Sequence, residues 1–503
     1  MHKAPSLFFR RHFFALRHSR PPYRSGSLYA MIMRNRSACF VLAVLCLFHP
    51  LRAWSAQNQQ LDREFQAAVG QYEAGQYAQA AAKLEALLPD AQQSFDVQEL
   101  IGLVYSAQSL DAKAYPHLQK AVQLKPDSAA ARTNLASNLV RTGKPDLAEA
   151  QLKKAVALEP RNFDANHNLG ELYVQAGKIA LAEPFLESAQ RIDPSSYDNG
   201  YDLSLAYLET GRVSDARRSV HDLLRRKDTA ELHNLLGEIE EKDGQFVTAA
   251  NEFELAAHAD PSESNLFDWG SELLLHRTLE PAVEVFTQAV ARYPNSPRLA
   301  IGLGMAFYAR GQYDQAIAAL LQAADLNPAD PRSYLFLSRA SDGSPNHADE
   351  VLQRFRRFAE LQPANARAQY YYAMSLWKSR RAQGSSFDPG EIAALLQKSL
   401  ALDPQLAEAH LQLGNLYFDQ KKYSDAIPEF TRSLELNADL SDARYRLGLA
   451  YVRSGDKERG EAQLALYQCA NEQHLNDLEK QRAEIRQFVY SAKNSPAEKS
   501  EKP

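Results

Sequence analysis

Asn134, Asn168 and Asp202 stand 34 residues apart, and Asp268 follows 66 residues after the last of them. One Asn amide offers both a donor and an acceptor, the pair that a peptide group itself presents. No stronger chemistry is spaced along the chain. There is no phosphate loop of the Walker type, no HExxH, no paired CxxC and no glycine-rich strand-to-helix turn. His117, His167, His221, His233, His258, His276 and His410 read as scattered over unrelated phases of that interval, so their spacing gives no convergent metal ligands. The many carboxylates read as solvated helix faces. No catalytic residue, cofactor or metal is assigned, and the chain is read as a non-enzyme.

The same interval organises most of the chain. Pro126, Pro160, Pro194, Pro261, Pro294, Pro328, Pro363 and Pro404 follow one another at 34, 34, 67, 33, 34, 35 and 41 residues, the long step being two periods. Before Pro194, Gly170, Tyr173, Gly177, Ala182, Leu186 and Ala189 stand at distances of 24, 21, 17, 12, 8 and 5 residues. Gly102, Tyr105, Ala114, Leu118 and Ala121 keep the same distances before Pro126, and Gly414, Tyr417, Ala426 and Phe430 repeat the pattern late in the chain. Small residues at these offsets let two helices approach closely, and the large ones fill the groove between them. A self-similar period of this length means stacked helical units, each burying its apolar face against its neighbours. The glycine between the helices, as at Gly177 and Gly311, is expected to end the first helix in a left-handed conformation, and the proline to open the next turn.

These residues resemble the tetratricopeptide repeat, a helix-turn-helix unit of 34 residues, in about a dozen units from about Leu61 to about His474. The resemblance implies an all-α, right-handed α-solenoid, a superhelix of about twelve such units. It also implies that the first helix of each pair lines a concave groove. Asn134, Asn168 and Asp202 would then lie in the groove, with Ser137, Arg141, Glu171 and Gln175 facing it on the next turn. The row resembles the asparagine ladder of O-linked N-acetylglucosamine transferases, which grips the backbone of extended peptides. The ladder is lost at Leu100, Leu235, Gly302 and Gln412. Asn also suits any wet helix face, so groove contact and idle surface both remain open. On the groove reading, replacing Asn134 and Asn168 by Ala weakens partner binding and spares the melting temperature.

Residues 1–56 follow a different rule. They hold nine of the 57 Lys and Arg residues and no acid. Arg34 and Arg36 precede an apolar run over 38–48, and the small-residue segment around Ala53 and Ala56 follows it. That order reads as a signal peptide for export to a periplasmic or secreted location. Met31 or Met33 is the start that such a signal would favour, the stretch before it being surplus. An uncleaved run over 38–48 would instead anchor the chain in a membrane. Without residues 1–56 the chain holds 48 basic residues against 62 acidic ones. Such an acidic array, with no basic run, excludes the electrostatics of a nucleic-acid binder and favours neutral or basic partners. Only Cys469 then remains, so no internal disulfide forms, and it reads as an apolar filler.

Residues 57–330 read as the regular array. In 331–406 the period breaks. The unit after Pro331 lacks its small and aromatic positions and contains a polar loop, SDGSPNH, and Lys378–Glu391 reads as an insertion. Such an insertion suits a docking loop or a tolerated surface loop. Residues 407–474 resume the repeats, and a long helix from about Glu461 to about Ser491 includes a capping helix over 475–491. Residues 492–503 are too polar to fold. The expected function is a non-catalytic scaffold that binds extended or helical segments of other proteins in an envelope or secreted assembly. Two other readings stand beside it, a specificity subunit for a separate envelope glycosyltransferase or synthase, and a membrane-anchored structural protein.

Overall fold

The computed structural model describes residues 49–344, 346–382, 389–471, 483, 486 and 487. The apolar run over 38–48, the insertion residues 383–388, the capping stretch over 475–491 apart from three positions, and the tail 492–503 lie outside the described residues. Among the described residues there are 24 helices and no strand, which makes twelve consecutive helix pairs. The chain divides after Asp228 into two compact units.

The first unit contains α1 (His49–Glu73), α2 (Tyr77–Ala91), α3 (Phe95–Ala107), α4 (Asp111–Leu124), α5 (Ala129–Arg141), α6 (Pro145–Leu158), α7 (Phe163–Gln175), α8 (Ile179–Ile192), α9 (Tyr197–Glu209) and α10 (Val213–Leu224). The second contains α11 (Ala230–Lys242), α12 (Phe246–Ala259), α13 (Glu263–Leu275), α14 (Leu279–Arg292), α15 (Pro297–Ala309), α16 (Tyr313–Leu326), α17 (Pro331–Gly343), α18 (Ala348–Leu361), α19 (Ala366–Ala382), α20 (Gly390–Leu402), α21 (Ala407–Asp419), α22 (Tyr423–Leu436), α23 (Ser441–Ser454) and α24 (Lys457–Asn471). Odd-numbered helices are the first of each pair, and apart from α19 with α21 each packs against the next odd-numbered helix within its unit. Each unit is thus a stretch of all-α solenoid. Ala53 and Ala56 fall inside α1, and no described helix is long and apolar enough to cross a membrane.

The termini of the helices follow from local chemistry. First helices are capped at their start by Ser94, Ser128, Asn162, Ser196, Thr229, Ser262, Ser296 and Asp330, whose side chains accept from a backbone N–H within the first turn. Most of them end two residues before a residue in the left-handed conformation, as at Gly177 with φ +68° and Gly311 with φ +75°. The expected glycine role is therefore present. Ser109, Arg277 and Lys421 hold the same turn position with φ of 59°, 61° and 62°.

Small-against-large packing joins the two helices of a pair. A Cβ added to Gly170 would lie 2.6 Å from the Leu186 side chain, and one added to Gly414 would lie 2.7 Å from Phe430. The unit after Pro331 differs from its sequence reading. Ser341–Gly343 belong to α17, so the polar segment is a short turn between two full helices. Its core is aromatic: Tyr334 stacks on Phe358 with centroids 4.0 Å apart, and Phe355 meets Tyr371 at 5.5 Å. Likewise α19 runs on to Ala382, so the first residues of the expected insertion extend a helix. The C-terminal helix begins at Lys457, one turn earlier than expected.

Candidate functional site

In the first unit the positions singled out by their spacing fall on first helices. Asn134, Asn168 and Asp202 each occupy the sixth residue of α5, α7 and α9, and all three are partly buried. The amide of Asn134 donates to Glu99 Oε1 at 3.1 Å, and that of Asn168 donates to Ser137 Oγ at 3.2 Å. The Ser137 hydroxyl itself donates to Thr133 O at 3.1 Å. Both amides are therefore struts between successive first helices. Each amide has one of its two N–H donors committed to the neighbouring repeat, so the expected pairing with a peptide group is narrowed.

The flanking positions are also tied within the array. Arg141 Nε donates to Asp111 Oδ1 at 2.8 Å, beside the Asn138 amide at 3.1 Å from the same oxygen, and Gln175 donates to Glu171 at 3.1 Å. Glu99 is 9% exposed, and burial pushes its carboxyl up to about 7 against the lowering effect of the Asn134 bond. In the second unit Asp268 accepts from Asn234 at 3.1 Å, the same kind of strut.

A cavity of about 260 Å³ lies in the second unit between the first helices α17, α19, α21 and α23, with α18 closing one wall. Its residues repeat the spacing of the first unit. Tyr371, Gln412 and Arg446 occupy the sixth position of α19, α21 and α23, where α5 and α7 carry Asn134 and Asn168. Met374 and Asn415 match Ser137 and Glu171, and Lys378 and Asp419 match Arg141 and Gln175. The positions that mark a groove in the sequence thus line a real concavity, in a different stretch of the chain from the one where the ladder is regular.

The cavity exists because a side chain is missing. The position filled by Tyr105, Tyr173, Tyr207 and Tyr417 in other first helices is Ser341 in α17, and the small position is Ser338. Arg381 pairs with Asp419 and lies over the Trp377 ring at 4.7 Å, and Arg446 reaches the same carboxylate only at 3.9 Å. Lys378 donates to Ser341 O and lies 3.6 Å from Asp342.

One recurrent contact has no counterpart in the sequence reading. The fourth residue of a first helix reaches back to the carbonyl six residues earlier: Arg132 to Pro126, Asn166 to Pro160, Tyr334 to Pro328, Gln369 to Pro363 and His410 to Pro404. The same position also meets the second helix 19 residues on, as in Gln98–His117, Arg132–Gln151, His233–Glu252 and His410–Glu429 at 2.6–2.8 Å. This corrects the reading of the histidines as out of phase. His233 and His410 share one phase, and His117 is the partner of that position; all three brace their own repeat. Among the described residues no three His, Cys, Asp or Glu side chains come together to hold a metal ion.

Comparison with known proteins agrees with this architecture. Tetratricopeptide repeat family models match residues 133–197, 174–239 and 273–340, and a further TPR repeat model matches 414–455. The BBSome complex member bbs-4 of Caenorhabditis elegans is 26% identical over 172 residues, which are 33% of this chain and 36% of that protein. The peroxisomal targeting signal receptor of Candida glabrata is 33% identical over 79 residues, 16% of this chain and 13% of the receptor. The chain therefore spans about a third or less of these relatives. A solved fragment, the C-terminal part of a TPR repeat-containing protein from Cytophaga hutchinsonii, has 16% identity and a TM-score of 0.41, covering 48% of this chain and 97% of the fragment. The matched segments fall on helix pairs whose glycine, aromatic and alanine positions pack as the repeat requires, and the chain is a tetratricopeptide repeat protein.

Proposed function

We propose that this protein is a non-catalytic scaffold whose first helices hold extended segments of other proteins. The observation that carries the reading is the cavity between α17, α19, α21 and α23, lined by the residues at the ladder positions of three successive first helices. The amides of Asn134 and Asn168 offer further contacts in the first unit. Affinity in such an array comes from many modest contacts spread over several repeats. The chain also has relatives named as a targeting signal receptor and as a member of a protein complex, although it matches only parts of them.

Export belongs to the same proposal. It rests on the basic, apolar and small segments within residues 1–56, which support a scaffold in an envelope or secreted assembly, free or anchored through 38–48. The test is capture from native extract by three immobilised forms of the chain: the natural sequence, Asn168→Trp with Gln412→Trp on first helices, and Leu158→Trp with Leu181→Trp on exposed second-helix positions. The proposal expects a discrete protein set that is lost from the first-helix variant and kept by the second-helix variant. Identical sets from all three forms would contradict it.

A further inference from the structure

We propose that the cavity between α17, α19, α21 and α23 anchors an Asp or Glu side chain, flanked by an apolar residue, of an extended protein segment. The inference rests on the scaffold reading and names the chemistry of its ligand.

The walls divide by character. Val351, Phe355, Tyr371 and Trp377 supply an apolar floor, opened by serine at the position where other first helices place an aromatic ring. Among the lining residues Lys378, Arg381 and Arg446 oppose Asp342 and Asp419, while the Asp314 carboxylate behind the rim is occupied by Ser344 and Asn346. Two guanidinium groups share the single Asp419 carboxylate, and Arg446 at 3.9 Å is beyond hydrogen-bond reach of it. A second carboxylate entering beside Arg446 would take the place Asp419 leaves open. Guanidinium geometry suits that role, because its donors form a fork that a carboxylate matches with two parallel bonds.

Two further features fit a peptide. Asn415 donates to Gln412 at 3.1 Å, and its Oδ1 is buried with no hydrogen-bond partner. An orphaned acceptor of that kind is explained by a backbone N–H arriving with the ligand. The rim is fixed beforehand, since Asn346 donates to Asp314 Oδ2 at 3.0 Å and holds the turn after α17 in place. Preorganised walls lose little conformational entropy on binding.

The site reverses the charge of its surroundings. Outside residues 1–56 the chain holds 48 basic against 62 acidic residues, so its overall field opposes an acidic segment and only a local cation surplus selects one. Binding at a partly open pocket of this kind weakens with added salt.

The test uses the full chain and a phage-displayed library of random peptides, with one selected peptide then made in its natural form and with its acidic residue changed to the amide. Arg446→Gln removes the guanidinium that holds Asp419 only at 3.9 Å and lies over the Phe418 ring at 5.4 Å, and Ser375→Phe fills the cavity while keeping every charge, with thermal melts to check the fold of each. The expected result is enrichment of Asp or Glu beside an apolar residue. Tenfold or greater weakening should follow from the amide peptide, from Arg446→Gln and from Ser375→Phe, and none from Leu181→Ala on an exposed second-helix position. Peptides that lack an acid, or that bind both variants unchanged, would overturn the pocket and leave the scaffold reading in place. Selection of no binding peptide at all would overturn both.

Discussion

The Asn134 amide donates to Glu99 Oε1 at 3.1 Å and ties α5 to α3 across 35 residues of sequence. The pair turns a residue expected to meet a partner into a support between repeats, and it keeps a carboxyl in a largely dry place. Burial raises the Glu99 carboxyl from 4.5 to about 7. The folded state therefore holds this proton more tightly than the unfolded chain. The stability linked to it is fully present below about pH 4.5 and is lost as pH rises through 7. Glu99→Gln keeps the acceptor and removes the titration, so it should raise stability at pH 8 by on the order of 2 kcal/mol and leave it nearly unchanged at pH 4.5. Thermal melts of both proteins at the two pH values measure this.

Removing the support has a separate cost. Asn134→Ala leaves the buried Glu99 without its donor and should destabilise the fold by about 1–2 kcal/mol. Asn168→Ala should cost less, because Ser137 remains bonded to Thr133 O. The double substitution is therefore expected to lower the melting temperature, which revises the expectation from sequence that it would not. Urea unfolding of the two single variants checks the order.

Two glycines should respond in opposite directions. A Cβ on Gly302 would lie 2.4 Å from Phe286 Cε1 in the core, whereas Gly70 in α1 has no atom within 4 Å of such a Cβ. Gly302→Ala should cost about 1–3 kcal/mol through overpacking. Gly70→Ala should stabilise by about 0.5–1 kcal/mol through backbone entropy. Paired denaturation curves would show both signs.

Arg277 and Lys421 hold left-handed turns with φ of 61° and 62°, at the position where Gly177 and Gly311 stand in other repeats. Each should gain about 0.5–1 kcal/mol on substitution by Gly, the relief of the Cβ clash outweighing the added backbone freedom of the unfolded chain. Since nearest-neighbour stacking makes array stability roughly additive, the double variant should melt higher than either single one.

The repeat itself was legible because each unit must reuse the same small, aromatic and turn positions to pack on the next, as Gly170, Tyr173 and Gly177 do. The unit after Pro331 was misread for the converse reason. Phe355 keeps the large position eight residues before Pro363, but Phe358 stands five before it, where other units carry alanine, and Tyr334 stacks on that ring from the first helix. Ser338 and Ser341 were legible as departures, yet a missing side chain becomes a cavity only when neighbours leave the space empty, and sequence does not report that. The struts from Asn134 and Asn168 were hidden likewise. An amide at a groove position has the same spacing whether it waits for a ligand or bonds to the preceding repeat. The phase of His233 and His410 was readable, since each stands four residues into a first helix and 19 before a glutamate.

The most direct measurement of the central claim is site-specific photocrosslinking of the full chain in its own cells. A benzophenone side chain would be placed in turn at Gln412 and Ser375 on first helices, and at Leu158 and Leu181 on exposed second-helix positions. The account predicts discrete protein adducts from Gln412 and Ser375 and none from Leu158 or Leu181. Adducts confined to the second-helix positions, or equal from all four, would contradict a scaffold that binds through its first helices.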